Sequence, residues 1–516
     1  MWVGLLFAIM CSSLNIELLD EGKASSLEGQ ALKDPQEVIK IFREKTVQCL
    51  VLGNYTEPTA HTVETLFMYF LSEHFRNSES HVGAWMVCGL IVRSAMRLGY
   101  HRDPSHSPNI SIFKGEMQRR IWASAIHMDL QTSCRVGLPR MVKEGMFDTQ
   151  PPRNLLDADF DENTSVLPPS RPFSTPTALT HSLVKEAILI VYGKIVDQTS
   201  STNTMSYDDT MRLDSQLHEA YQQVPEFWKV RSIEDLKVSS GDLMVAKFLI
   251  HLSYQRARCV LHRKYLVPTK LPNASLYSYS VKECVDAAMR ILQSQTFIFA
   301  QSQPNNTLCN HKWKLSSLQT HDFLLAAMLV CVYLNQGVTN TSSNTVASRD
   351  GVPIQWTRGE MLHTLDGSYR IWDDARHTSK DALKAAKALK RTLSRVRGAG
   401  LKTGSNLQES HASQTTASAS YTTSCSGMLA TLIYGHISVT DFSLERVPPT
   451  GHTSSNSSET TSYVAPGLSN FVTPQSWQPA EQGPFEPAYG VTDDMINPTM
   501  ELDWVSQLSF KTLEKF

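Results

Sequence analysis

Apolar side chains recur every three or four positions through most of the first 300 residues, a spacing that predicts one helix after another. Residues 35–52 carry Val38, Ile41 and Phe42, with Pro35 placed where a first-turn proline belongs. Residues 59–76 carry Val63, Leu66, Phe67, Phe70 and Leu71 at the same spacing. Residues 81–98 repeat it with Trp85, Cys88, Ile91, Val92, Ala95 and Leu98, and Gly99 supplies a stop. A further helix is expected over 116–134, with Glu116 near its start to suit the positive end of the helix dipole. A proline-rich excursion from Pro151 to Pro176 interrupts the pattern, which resumes over 177–200 and 206–224. Residues 241–266 predict a long helix through Phe248, Leu249, Leu252, Cys259 and Leu261, followed by helices over 278–296 and 320–337. No stretch alternates with the period of a strand. The expected fold is all-α, a multi-helix domain of stacked helical hairpins.

The character changes near residue 338. Residues 338–352 are rich in Ser, Thr and Asn and predict a loop. Residues 379–398 predict an amphipathic helix with Ala382, Ala386, Leu389, Leu393 and Val396 on one stripe. Lys384, Lys387, Lys390, Arg391 and Arg395 lie mostly off it. Those cations suit either a nuclear import or nucleic-acid contact or a plain solvated face, and their even spread favours the solvated face. Residues 403–425 and 450–464 are of low complexity and too poor in apolar side chains to offset their ordering entropy, with one predicted helix at 426–443 between them. Residues 465–516 end in an acidic-aromatic run that suits a flexible binding segment. Such a run serves as an activation segment or docks back on its own domain, with Trp504 and Leu508 as anchors. The expected divisions are therefore 1–340, a helical regulatory domain; 341–402, a loop and basic helix; 403–464, a low-complexity region; and 465–516, a disordered tail.

Composition narrows the class. Of 516 residues, 41% are hydrophobic and 19% charged, and the formal net charge of -2 gives no global pull towards nucleic acid. The first residues, MWVGLLFAIMCSS, have no Lys or Arg before the apolar run and no small-residue cleavage pattern after it, so they are expected to form a core helix, not a leader. The run is too short to span a bilayer, and no membrane partner is expected. The nine cysteines stand singly, with no CxxC pair from which a zinc cluster could be built. Cys88, Cys284 and Cys331 fall within apolar helical patterns, as buried thiols do. No catalytic fingerprint accompanies His101 or His262, and His127 and Asp129 face apart on a helix, so no catalytic, cofactor or metal residue is assigned and no enzyme is expected.

Two motifs remain. The first places Trp85, Gly89, Arg93 and Ala95 on a helix ahead of a turn formed by Gly99, His101, Arg102 and Asp103. The second runs through Glu116, Arg119, Arg120, Trp122 and Asp129, then Ser133, Gly137 and Pro139. Arg93, Arg119, Arg120 and Asp129 are expected to form internal ion pairs that fix helix packing, because buried charges persist only when paired. Weaker echoes follow in LHRKYL at 261–266 and SVKECVDAAMRIL at 280–292. In their order and spacing these four segments resemble the central regulatory domain of fungal zinc-cluster transcription factors, and LLFAIM resembles its opening helix. Two positions differ from that pattern: Ala123 replaces a frequent aromatic, and Leu138 a frequent Arg.

The resemblance covers roughly residues 1–340. It implies a nuclear transcription regulator of a metabolic or secondary-metabolite gene set. DNA is then a partner by resemblance only, and zinc enters only through an upstream six-cysteine cluster. A small-molecule effector and a homodimer or DNA-binding partner protein are compatible with it. The alternative is a stand-alone ligand-sensing or protein-docking co-regulator that does not bind DNA itself.

Overall fold

The computed structural model describes residues 1–19, 34–76, 81–237, 239–266, 274–309, 311, 320–338, 355–377 and 380–401. Among them every extended regular element is a helix, as the periodicity predicts. The low-complexity region over 403–464, its predicted helix at 426–443 and the tail over 465–516 lie outside the described residues, as does most of the loop expected over 338–352.

The first four helices are α1 (Trp2–Leu19), α2 (Pro35–Leu52), α3 (Thr62–Arg76) and α4 (His81–Arg97). α1 packs on α2 and α3. Its Leu5, Ala8 and Cys11 are buried, and Ser12 Oγ meets Ser72 Oγ of α3 at 2.9 Å. Gly4 permits the close approach, since a Cβ there would lie 2.8 Å from Cys49 Cβ of α2. α2 starts where Asp34 accepts a hydrogen bond from the Gln36 amide at 3.1 Å, with Pro35 in the first turn.

α5 (Ile112–Val136) is the longest element. Ser111 caps it and Gly137, at φ 69°, releases it into the left-handed region. Residues 138–179 carry only one short 3-10 turn and are fixed largely by side chains. Then come the short α6 (Thr180–Val184), α7 (Glu186–Thr199), α8 (Tyr207–Gln222) and the single-turn α9 (Glu234–Lys237). α10 (Gly241–His262), α11 (Ser278–Gln301) and α12 (Thr320–Val338) stack in sequence order. α13 (Arg358–Asp374) and α14 (Lys380–Leu401) close over α11 and α12.

Two main cores result. The first gathers Leu50, Phe67, Ile91, Ile121 and Trp122 with Val142, Leu155, Phe160 and Leu167 from the irregular segment. The second runs from Leu130 through Ile188, Leu217, Phe248, Leu292 and Val330 to Leu365, Leu389 and Val396. α5 feeds both, Trp122 and Ala125 to the first and Leu130 to the second. The second core continues past residue 340, because α14 turns its stripe of Ala382, Ala386, Leu389, Leu393 and Val396 inward. Lys384, Lys387, Lys390, Arg391 and Arg395 of α14 are exposed. Among the described residues, no helix is long and apolar enough to cross a membrane.

Candidate functional site

The motif residues assemble at the junction of α4, α5 and the irregular segment. α4 ends on Gly99 at φ 81°, with the Tyr100 amide donating to Ala95 O at 2.9 Å. Only a residue without Cβ takes that conformation at no cost. The released chain then places Asp103, 3% exposed, against α5. Arg119 grips it with Nε at 2.9 Å and Nη2 at 2.8 Å. The same carboxylate accepts the Ser105 amide at 3.0 Å and the Gln150 amide at 2.9 Å. Asp148 returns the link by accepting the Asp103 amide at 2.8 Å. The Arg119 guanidinium and these amides hold the Asp103 carboxyl well below the usual carboxylate range, and Asp103 in turn pushes Arg119 up.

One turn back towards the start of α5, Glu116 is completely buried. The helix starts at Ile112, so Glu116 stands past the first turn and does not serve the dipole as the sequence pattern suggests. It accepts the Arg153 amide at 3.0 Å and Arg120 Nε at 3.3 Å. Burial raises its pKa, with Arg120 opposing. Arg120 also reaches Asp157 at 3.5 Å and lies over the Phe160 ring at 4.7 Å. Asp129, again buried, accepts the Met141 and Val142 amides at 2.8 and 2.9 Å. Asp103, Glu116 and Asp129 therefore work on the backbone of the irregular segment as much as on cations. They satisfy amides that have no secondary-structure partner. Of the four charges expected to form internal ion pairs, Arg119 and Arg120 do so, whereas Asp129 is held by backbone amides and Arg93 is exposed on α4.

At the exit of α5, Arg140 forms two parallel hydrogen bonds to Asp197 of α7, at 3.0 and 2.8 Å. Its guanidinium lies flat on α7 at Gly193, where a Cβ would come within 2.7 Å of Nη1. Sequence reading passed over this clamp because its parts stand 57 residues apart.

The two downstream echoes form the facing sides of the α10–α11 contact. Cys259 and Cys284 abut there, each thiol directed at the other's carbonyl. Arg258 bridges to Glu283, and to Asp286 at 3.0 Å. His262, fully buried, sits between Asp214 Oδ1 and Ser280 Oγ, each at 3.0 Å. The order Asp–His–Ser matches a hydrolase relay, but Ser280 is itself fully buried in the helix contact and could meet no substrate. Tyr279 donates to the other oxygen of Asp214 at 2.7 Å, which marks a structural knot. Among the described residues, no group of three His, Cys, Asp or Glu side chains is placed to hold a metal ion.

A different kind of arrangement lies between α5, α7, α10 and α12. A cleft there is lined by Arg256 and Arg263 together with His321, Tyr192 and Cys134. Arg256 pairs with Asp322 at 3.0 Å.

Comparison with known proteins gives a consistent answer. The fungal specific transcription factor domain matches residues 4–249. The Zn(2)-C6 fungal-type transcription factor mpsB of Macrophomina phaseolina is 38% identical over 412 residues, covering 79% of this chain and 54% of the relative. The Zn(2)-C6 fungal-type transcription factor pigI of Monascus ruber is 36% identical over 386 residues, covering 75% of this chain and 46% of the relative. The equisetin cluster transcription factor eqxF of Fusarium heterosporum is 35% identical over 399 residues, covering 77% and 56%. The chain spans about half the length of these curated relatives. No solved structure matches. Residues 4–249, the stretch similar to the fungal specific transcription factor domain, hold both buried carboxylate motifs.

Proposed function

We propose that this chain is the regulatory body of a nuclear fungal transcription regulator that controls a metabolic or secondary-metabolite gene set. The observation that carries this is the alignment over about three quarters of the chain with relatives named as transcription factors, one of them of the equisetin cluster. DNA contact is assigned to a six-cysteine zinc module, because these 516 residues contain no CxxC pair and carry a net charge of -2. No catalytic step is assigned. Residues 1 to about 340, together with the helices to residue 401 that complete the second core, act as the regulatory domain, and the acidic-aromatic run at the end of the chain acts as its protein-docking segment.

A second reading draws on the same missing cysteine pairs: a co-regulator that borrows its DNA contact from a partner protein. Either reading predicts that deleting the gene changes transcript levels of a coherent, co-located set of genes. RNA sequencing of the deletion strain checks this, and an unchanged transcriptome under conditions where the protein is made contradicts both. Chromatin immunoprecipitation, with and without the suspected partner, then separates them.

A further inference from the structure

α14 gathers positive charge against the trend of the chain. Of the 48 Lys and Arg it holds seven, against one of the 50 Asp and Glu, so outside it the balance is 41 to 49, a net of -8. Its apolar stripe, Ala382, Ala386, Leu389, Leu393 and Val396, is locked into the second core. Lys387, Lys390, Arg391 and Arg395 are exposed. By helical geometry these four fall within an arc of about 140°, on the side away from the stripe. Among the described residues no carboxylate pairs with any of them. Arg397, beside them, does reach Asp366 of α13 at 3.0 Å, but shares that carboxylate with Arg370. A helix face that is merely solvated mixes its signs, so that neighbours four apart attract. Here Lys387 and Arg391, and again Arg391 and Arg395, stand four apart and repel. A polyanion laid on the face relieves that repulsion.

We propose that this face of α14 docks on the phosphate backbone of double-stranded DNA, without regard to base sequence. From Lys387 to Arg395 the cations span about 12 Å of helix. One strand of a duplex sets a phosphate about every 3.4 Å along its axis, so a helix laid along it meets about three or four. Other polyanionic partners fit less well. A helix that lies on a membrane turns its apolar side to the lipid, and that side of α14 is spent on the core. An acidic protein segment is held by apolar anchors, and among the described residues of α14 no large apolar side chain is exposed. The helix has no aromatic side chain on which an unpaired base could stack, which favours a duplex over a single strand. The acidic balance elsewhere does not cancel the face, because exposed charges beyond about 10 Å are largely screened at about 0.1 M salt. α14 also lies past residues 4–249, the stretch similar to the fungal specific transcription factor domain. Four phosphate contacts are weak alone. They gain force once a sequence-reading module, joined to this chain or bound by it, holds the face at high local concentration over the duplex. That use rests on the regulator reading above, whereas the phosphate contact rests on the face itself.

The experiment is fluorescence anisotropy of the purified full chain with short labelled duplexes of two unrelated sequences, between about 50 and 200 mM KCl. Both duplexes are expected to bind alike, with log K falling against log salt at a slope of about -3 to -4. Arg391→Gln alone should reduce the steepness of that slope by about one. Lys387→Gln, Lys390→Gln, Arg391→Gln and Arg395→Gln together should weaken binding by about tenfold or more at the lowest salt. Their Tm should be unchanged or higher, since like-charge repulsion has been removed. Lys387→Arg with Lys390→Arg, and Arg93→Gln on the exposed side of α4, should keep wild-type binding. Absence of binding at the lowest salt, binding that the fourfold Gln variant retains, or tighter binding of the same face to phosphatidylserine vesicles than to duplex would overturn the proposal. No transcription step enters the readout. Its failure leaves the regulator reading standing, and failure of that reading leaves the duplex result intact.

Discussion

Asp103 and Glu64 are both carboxylates, both under 10% exposed, yet their surroundings drive them in opposite directions. Asp103 has a bidentate arginine and two amides, and it stays ionised. Glu64 of α3 is buried without a compensating cation, and burial pushes its pKa up to about 7 from 4.5. A carboxyl whose folded pKa is raised stabilises the fold fully below its unfolded pKa. That contribution is lost as pH rises towards 7, here by roughly 3 kcal/mol. Glu64→Gln, which mimics the protonated form at every pH, should therefore match wild type near pH 4.5. By pH 8 it should be more stable by up to about 3 kcal/mol. Urea unfolding at the two pH values checks this, and a variant less stable than wild type at pH 8 would show that Glu64 makes a necessary ionic contact. A histidine shows the opposite sign: burial depresses His251 to about 4, so its contribution is present above its unfolded pKa and fades as pH falls.

Among elements, the α5–α7 clamp sets two known effects against each other. Gly193→Ala gains about 1 kcal/mol of helix propensity. It also drives a Cβ to within 2.7 Å of the Arg140 guanidinium, which breaks the pair with Asp197 and leaves two partly buried charges uncompensated. Breaking a buried pair costs about 3–5 kcal/mol, and this partly exposed one falls at or below the low end. The substitution should therefore destabilise wild type by about 1–2 kcal/mol. In an Arg140→Ala background it should stabilise by up to about 1 kcal/mol. A double-mutant cycle reads the reversal of sign, and destabilisation of equal size in both backgrounds would remove Arg140 from the account.

At this scale, periodicity read the helices well. Gly99 and Gly137 were legible as stops because left-handed exits favour glycine. α13 was missed although Thr357 and Glu360 spell a reciprocal capping box at its start, a signal available in the sequence. The clamp and the Asp214–His262–Ser280 knot were not legible, because partners 57, 48 and 18 residues apart leave no local spacing to read.

Over the whole molecule, the four motif segments resolve into two helix contacts. α4 and α5 with their turn anchor the first core, and α10 against α11 centres the second. Buried charge, not an open catalytic centre, concentrates at both. That is the arrangement expected of a body whose task is to hold a shape and pass on a change in it. Sequence reading reached the helical class and the family resemblance because glycine stops and charged turns are local. It did not reach the arginine-lined cleft, whose walls come from four separate helices. The most direct test of the central claim is to tether the full 516-residue chain, by fusion to a heterologous DNA-binding domain, upstream of a reporter gene in a fungal host. The account predicts that reporter transcription changes relative to the DNA-binding domain alone. It also predicts that the change disappears with Asp103→Ala, which unties the first core. A correctly expressed fusion that leaves the reporter at its baseline would contradict the claim that this chain regulates transcription.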